Sequence, residues 1–109
     1  MSDLSDYAAD LEAWADNLEA RASQVVRKTA MDTTADAKAL APVDTGNLRN
    51  SIITANDGPL RAASVATASY APFVEFGTSR MAPQPFMGPA QERRTPAFFD
   101  AIAELAEGL

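Results

Sequence analysis

Large apolar residues recur at alternating spacings of three and four positions at the start of the chain, and alanines continue the pattern. No Gly or Pro interrupts it before Pro42. Such spacing places the residues on one face of an α-helix. It predicts one long helix over residues 1–41, with bulky side chains in the first half and small ones in the second. The first-half stripe consists of Leu4, Tyr7, Leu11, Trp14 and Leu18.

The predicted helix is too long for a domain of this size. Residues 3–41 would span about 58 Å at 1.5 Å per residue. Two arrangements resolve the mismatch. Either the helix bends near Ser23 or Thr33-Thr34, or its first half projects and packs on a neighbouring subunit.

The sequence of residues 42–77 predicts a turn, a β-hairpin and a short helix. The β-prone runs Ser51–Ala55 and Leu60–Ala68 flank an Asn-Asp-Gly-Pro turn sequence. Pro72 suits the first turn of a short helix, and Gly77 suits its C-cap.

The sequence of residues 78–89 predicts an extended, proline-rich loop that carries Met81, Phe86 and Met87. Such a loop is either tucked onto the core or a docking arm. The sequence of residues 90–109 predicts a C-terminal helix. Within this segment, Thr95 is the predicted cap and Pro96 the first helical position. Together these elements predict a single α+β domain, with a long N-terminal helix, a small antiparallel hairpin, a short helix, the loop and a C-terminal helix.

The composition excludes several chemistries. The 109 residues contain no Cys and no His, so disulfides, thiolate nucleophiles and the commonest general base are absent. The acids of the first helix scatter around it rather than forming an oxygen-ligand loop, and no metal or cofactor site is predicted. No apolar run reaches the length of a membrane span, and the acidic start does not resemble a signal peptide, so no membrane contact is expected.

Charge is unevenly distributed within the net value of −6. Residues 1–20 carry six acids and no base, residues 21–94 carry nine bases and six acids, and residues 95–109 carry three acids and no base. An acidic chain disfavours loose nucleic-acid binding. Complementary patches suit head-to-tail self-association. The alternative interpretation is that the acids only solvate helix faces.

The triplet Asp44-Thr45-Gly46 matches the aspartic-protease signature. That chemistry needs two carboxylates sharing a proton within an almost all-β fold. Here the triplet follows the end of a long helix, and the later β segments are few. The alternative is structural: Asp44 and Thr45 cap a turn, and Gly46 supplies a permissive backbone.

Two further charged positions have alternative interpretations. Glu75 is a candidate for a hydrogen bond or a salt bridge, for example with Arg80. Arg93-Arg94 fits a solvated surface or, alternatively, a contact with an acidic partner helix.

Three blocks of the chain carry a recognisable pattern. They are Ala41-Pro-Val-Asp-Thr-Gly-Asn-Leu-Arg-Asn-Ser-Ile52, Tyr70-Ala-Pro-Phe-Val-Glu-Phe-Gly-Thr-Ser-Arg-Met81 and Pro85-Phe-Met-Gly-Pro-Ala90. In this order the blocks resemble the neck or tail-completion proteins, also labelled tail components, of long-tailed non-contractile phages. The resemblance covers roughly residues 40–92. Pro96 departs from the uninterrupted final helix of that family, which predicts a shorter or kinked last helix.

The resemblance implies a structural virion protein without catalysis. It implies a ring of copies, six-fold in our hypothesis, that joins head and tail and contacts the neighbouring head-closure and tail proteins. DNA would pass through the lumen without specific binding. The protein would be found in the virion and, during assembly, in the host cytoplasm. A tail-terminator ring is the alternative, followed by a free adaptor module and the aspartic protease.

The hypothesis assigns residues to two groups. The first group would form interfaces between subunits, through the apolar stripe and the arm. The second would shape turns and caps. The interface residues are Leu4, Leu11, Trp14, Leu18, Arg80, Met81, Phe86 and Met87; the turn and cap residues are Asp44, Thr45, Gly46 and Gly77.

Overall fold

The computed structural model describes residues 4–42 and 46–108. The predicted α+β fold class is confirmed, with one long helix, a two-stranded antiparallel sheet, short helices and a C-terminal helix. In chain order the elements are α1 (Leu4–Leu40), α2 (Gly46–Ser51), β1 (Ile52–Asn56), β2 (Ala62–Ala66), α3 (Ala71–Phe76) and α4 (Met87–Glu107).

Helix α1 is continuous through its 37 residues, including the two positions at which a bend is predicted. At 1.5 Å per residue it spans about 55 Å. Its second half packs against the sheet and buries Ala30 and Ala37, and Ala41, directly after the helix, is buried as well. Side chains this small let the helix approach the strands closely, as the alanine pattern predicted.

The sheet is a hairpin whose register runs from Ile52 opposite Ala66 to Asn56 opposite Ala62. Successive residues of a strand point to opposite faces. Ile52, 1% exposed, therefore lies on the face that packs against α1, and the directly opposed pair Ile53 and Val65 lies on the other face.

A cluster of hydroxyl groups fills the contact between α1 and the sheet. The Thr34 Oγ1 atom donates to the Ala30 carbonyl (2.9 Å) and lies 2.7 Å from Thr54 Oγ1 and 2.9 Å from Ser64 Oγ. A hydroxyl has one proton, so Thr34 shares its proton between the Ala30 carbonyl and Ser64 Oγ, and its oxygen can accept from Thr54. The cluster satisfies polar groups that would otherwise be costly to bury.

Helix α4 packs antiparallel along α1. Its early residue Arg94 pairs with Asp36, and its late residue Leu105 shares a cleft with Leu18. The molecule is consequently a rod of 74 × 22 × 20 Å. Its core lies at one end, where Leu48, Ile52 and Phe86 are the largest fully buried side chains.

Two predictions about α4 are wrong. The helix begins at Met87 rather than after the loop at residue 90, and it continues through Pro96. Thr95 is not a cap, because it lies inside the helix and its hydroxyl donates to the Gln91 carbonyl at 2.7 Å. Proline inside a helix costs about 3 kcal/mol. Tertiary contacts of the two preceding turns, described below, offset that cost.

Candidate interaction surfaces

The first turns of α1 carry apolar side chains that face solvent. Leu4 is 85% exposed and Trp14 is 47% exposed, with Tyr7 and Leu11 between these values. We call these four residues the N-terminal stripe. Leu18, the fifth residue of the predicted stripe, is half-buried.

The N-terminal stripe continues the face of α1 that α4 covers. Near the end of α4, Ala101 and Leu105 border a cleft with Trp14 and Leu18. Because α4 runs antiparallel and ends there, the residues of α1 before Trp14 project beyond it. The first half of α1 therefore projects, one of the two arrangements predicted, and it carries an apolar face without cover from the described residues.

The predicted arm divides into an exposed part and a buried part. Arg80 and Met81 are exposed in a tight turn, closed by the paired backbones of Thr78 and Met81. Phe86 is 1% exposed and belongs to the core, and Met87 packs against that core. Phe86 was therefore wrongly assigned to an interface arm: it is a core anchor.

Glu75 closes the start of α4. Its Oε2 atom accepts the N–H groups of Phe86 (2.9 Å) and Met87 (3.0 Å), and its Oε1 atom accepts that of Gly88 (2.9 Å). The first N–H groups of a helix have no partner within it. Pro89 has no N–H, so Glu75 and this proline together account for the opening of α4. Glu75 makes no salt bridge with Arg80 in the structure, and its partner is the helix end.

The contacts of Glu75 determine its ionisation. Burial alone would raise the pKa of this carboxyl. The three backbone donors outweigh burial, and the pKa is lowered. The negative charge is further favoured at the positive end of a helix dipole. Glu75 thus stabilises the fold as a carboxylate.

We expect Glu75→Gln to lower the free energy of unfolding by about 1–3 kcal/mol at neutral pH, because the amide cannot accept from three N–H groups as a carboxylate does. Chemical denaturation measures it. The pKa of Glu75 is lower in the folded chain than in the unfolded chain. Its contribution is therefore complete above the unfolded value of about 4.3 and is lost as pH falls through the folded value.

The control for this prediction is Glu92→Gln, which removes a carboxylate from an exposed position of α4. It should change stability little. An unchanged stability of Glu75→Gln at neutral pH, or a stability difference from the wild type that does not shrink below pH 4, would contradict the role of Glu75 as a cap.

A second ionic contact joins α4 to α1. The Arg94 guanidinium donates from Nε to Asp36 Oδ2 and from Nη2 to Asp36 Oδ1 (3.0 Å), a two-point contact. The hydrogen bond from Arg94 lowers the pKa of Asp36. Arg94 therefore does not fit the solvated-surface interpretation of Arg93-Arg94. Its acidic partner helix belongs to the same chain.

Further exposed apolar residues lie outside the predicted interface set. On the outer face of the sheet, Ile53 lies opposite Val65 and Ala55 lies opposite Ala63. All four of these side chains are uncharged. On α3, Phe76 is 78% exposed. Antiparallel sheets with one solvated face usually present polar side chains there, and this one does not. Because successive strand residues point to opposite faces, the two adjacent isoleucines at the start of residues 52–56 could have indicated that both faces of the sheet carry apolar side chains.

A groove of about 480 Å³ lies between α1, β2 and α4. Val26, Leu60, Met87 and Phe98 supply its apolar lining, and Arg61 also borders it. This arginine is already within 3.7 Å of Asp57. The groove is accordingly apolar with little free charge.

Residues 4–42 and 46–108 contain no cluster of acidic side chains able to hold a metal ion, and their buried side-chain polar atoms all have hydrogen-bond partners. Asp44 and Thr45 lie outside the described residues, and Gly46 begins α2. Gly77 follows α3 as its C-cap. No helix within those ranges is both long enough and apolar enough to span a bilayer.

A family model matches the part of the chain that contains the long helix, the hairpin and the short helix capped by Gly77. The HK97-gp10-like family, described as "Bacteriophage HK97-gp10, putative tail-component", matches residues 5–77. The chain belongs to this family. The match includes the first block of the resemblance and the second as far as Gly77, whereas the third block, residues 85–90, lies beyond it. No curated protein and no solved structure matches the chain.

The family is described as a tail component of phages. The candidate site in the described residues consists of exposed apolar surfaces: the N-terminal stripe, the Arg80-Met81 turn, the outer sheet face and the exposed Phe76 of α3.

Proposed function

We propose that this chain forms a ring at the head-to-tail connection of a phage, as a neck or tail-completion protein. Copies of the chain, six in our hypothesis, would surround the DNA channel between the head-closure proteins and the tail. The chain would act by binding its neighbours and not by catalysis. It would occur in the virion and, during assembly, in the host cytoplasm.

The N-terminal stripe carries this proposal. A 37-residue helix that projects beyond its own domain with an uncovered apolar face is costly for a protein that works alone. The same face is useful when a neighbouring subunit covers it. Because a ring requires one surface of a subunit to fit a different surface of the next, the separate exposed faces of this rod support repeated assembly.

The charge of the chain supports passage of DNA without binding. The net charge of −6 repels the phosphate backbone. Specific recognition of DNA would require basic side chains presented to its phosphates and to the edges of its nucleobases. A lumen built from this chain would therefore let DNA slide.

Phage particles assembled without this protein should test the role. We expect complete heads and tails of normal length that do not join, seen by electron microscopy of lysates. Supplying the protein to the separated heads and tails should restore joined particles. Overlong tails would instead indicate a tail terminator, and joined, infectious particles would contradict both roles.

A further inference from the structure

The N-terminal stripe has acids on both sides. On a helix with about 3.6 residues per turn, Asp10 lies on one side of the stripe and Glu12 and Glu19 lie on the other. Residues 4–20 contain five acids and no base. Any surface that covers the stripe must therefore tolerate or neutralise negative charge on both edges.

The second half of the same helix presents the opposite arrangement on its outer side. Met31 is 62% exposed there, although it is a large apolar residue. Arg27 and Lys38 lie to one side of Met31, and Lys28 lies to the other, given the spacing of about 3.6 residues per turn. We call Met31 with these three residues the basic face.

The acids of this half of α1 do not cancel the basic face. Asp36 is bound by Arg94 on the side toward α4, and Asp32 also lies within 3.9 Å of that arginine. Asp32 additionally pairs with Lys28 at 2.7 Å. Such a pair on an exposed helix contributes under about 1 kcal/mol, so Lys28 can exchange this partner for another.

We propose that the N-terminal stripe of one copy docks on the basic face of α1 in a second copy. The apolar side chains of the stripe would cover Met31. The acids on its edges would meet Arg27 and Lys28 on the two edges of the basic face. The pattern resembles paired helices in which an apolar seam is flanked by complementary charges that select the partner.

Other ways to cover the stripe are less favourable. Two stripes packed together would oppose five acids with five acids. The groove beside β2 is bordered by one basic residue, Arg61, against the five acids near the stripe. Within one copy, Leu11 and Met31 are about 30 Å apart on a straight helix. The contact must therefore join different copies.

This inference deepens the proposed function by naming the surfaces that join neighbours, and it rests on that function only for closure into a ring. The contact joins two different surfaces. Each copy can therefore bind one neighbour through its N-terminal stripe and another through its basic face. Contacts of this type build closed rings or open filaments, depending on the rotation between copies.

Charge reversal on the full-length chain tests the docking. One variant combines Asp10→Lys with Glu19→Lys, and the other combines Arg27→Glu with Lys28→Glu. Each variant alone should self-associate about tenfold more weakly than the wild type at low salt, because attraction becomes repulsion. An equimolar mixture of the two should recover association, since the reversed surfaces are again complementary. Sedimentation velocity measures the association, and circular dichroism verifies the fold.

Matched controls make the same changes of net charge elsewhere. Asp100→Lys with Glu107→Lys on α4, and Arg61→Glu with Arg93→Glu near the hairpin and on α4, alter exposed positions outside the candidate surfaces. The docking is overturned by a wild-type chain that stays monomeric, by controls as weak as the test variants, or by a mixture that gains nothing. Recovery limited to pairs would still support the docking, because the unaltered stripe of one variant then meets the unaltered basic face of the other. A wild-type chain that stops at dimers would contradict the ring.

Cross-linking gives a second readout that does not depend on charge. The chain has no cysteine, so each single-cysteine variant carries one thiol. Mixing Leu11→Cys chains with Met31→Cys chains of a different tag length under oxidised glutathione separates the mixed disulfide by mass from the two like-with-like disulfides. A disulfide between the two chains is expected, because it requires Cα atoms within about 7 Å. Leu11→Cys mixed with Phe99→Cys should give little product. Equal yields from both mixtures would overturn the docking, while the phage-assembly test of the ring would be unaffected.

Discussion

Replacing Phe86 by Ala is expected to lower the free energy of unfolding by about 3–5 kcal/mol. The side chain is 1% exposed and lies in the core cluster with Leu48 and Ile52. Truncation removes its transfer free energy and leaves a cavity at the junction of the hairpin and α4. Since small domains are stable by about 5–15 kcal/mol, the loss is a large share of the total. Urea denaturation followed by circular dichroism measures it.

Phe76→Ala is the matched control for this prediction. This side chain is 78% exposed, so its removal should change stability by less than about 0.5 kcal/mol. If Phe86 were instead a docking residue of an arm, Phe86→Ala would weaken assembly and leave the stability of the single chain intact. Equal stabilities of Phe76→Ala and Phe86→Ala would therefore overturn the core assignment.

The parts of the fold that the sequence predicts are those governed by local rules. The stripe spacing and the position of Pro42 define α1, because periodicity and a helix breaker act over a few residues. The Asn-Asp-Gly-Pro turn identifies the hairpin in the same way, and Gly77 ends α3 as its C-cap. These features are short-range in sequence, and the structure contains each of them.

The parts that could not be predicted depend on contacts between distant residues. Glu75 caps α4 across an irregular loop, with partners 11 to 13 positions away. Arg94 and Asp36 are 58 positions apart. Without these contacts, Pro96 favours a helix that begins at residue 96. With them, the turn before it is held in place, and the helix continues.

The interface residues show the same division. The exposed N-terminal stripe follows from a helix that is longer than its domain, which is a matter of length and spacing. Phe86 lies in a proline-rich stretch without periodicity, so nothing local distinguishes a buried anchor from an exposed arm residue. Burial there arises because the Glu75 contact and the core draw the end of the loop inward.

Gly77→Ala is expected to lower the free energy of unfolding by about 2–6 kcal/mol. The strained backbone costs about 1–3 kcal/mol, and overpacking costs about 1–3 kcal/mol more. Gly77 has φ +78° and ψ 178°, a conformation essentially restricted to glycine. A Cβ atom there would lie 2.8 Å from both the Met81 carbonyl oxygen and the Pro83 nitrogen. These are backbone atoms, so relief requires the loop to move. Thermal and urea denaturation measure the loss.

Gly58→Ala separates the two causes. Gly58 also has a positive φ, +91°, but a Cβ atom would meet nothing within 4 Å. It should cost only the conformational penalty, about 1–2 kcal/mol. The excess loss at Gly77 reports the close approach of the loop that carries Arg80 and Met81. Because that loop leads to Phe86, loosening it should also expose the core. Equal losses at the two glycines would show that the loop yields freely and does not fix the start of α4.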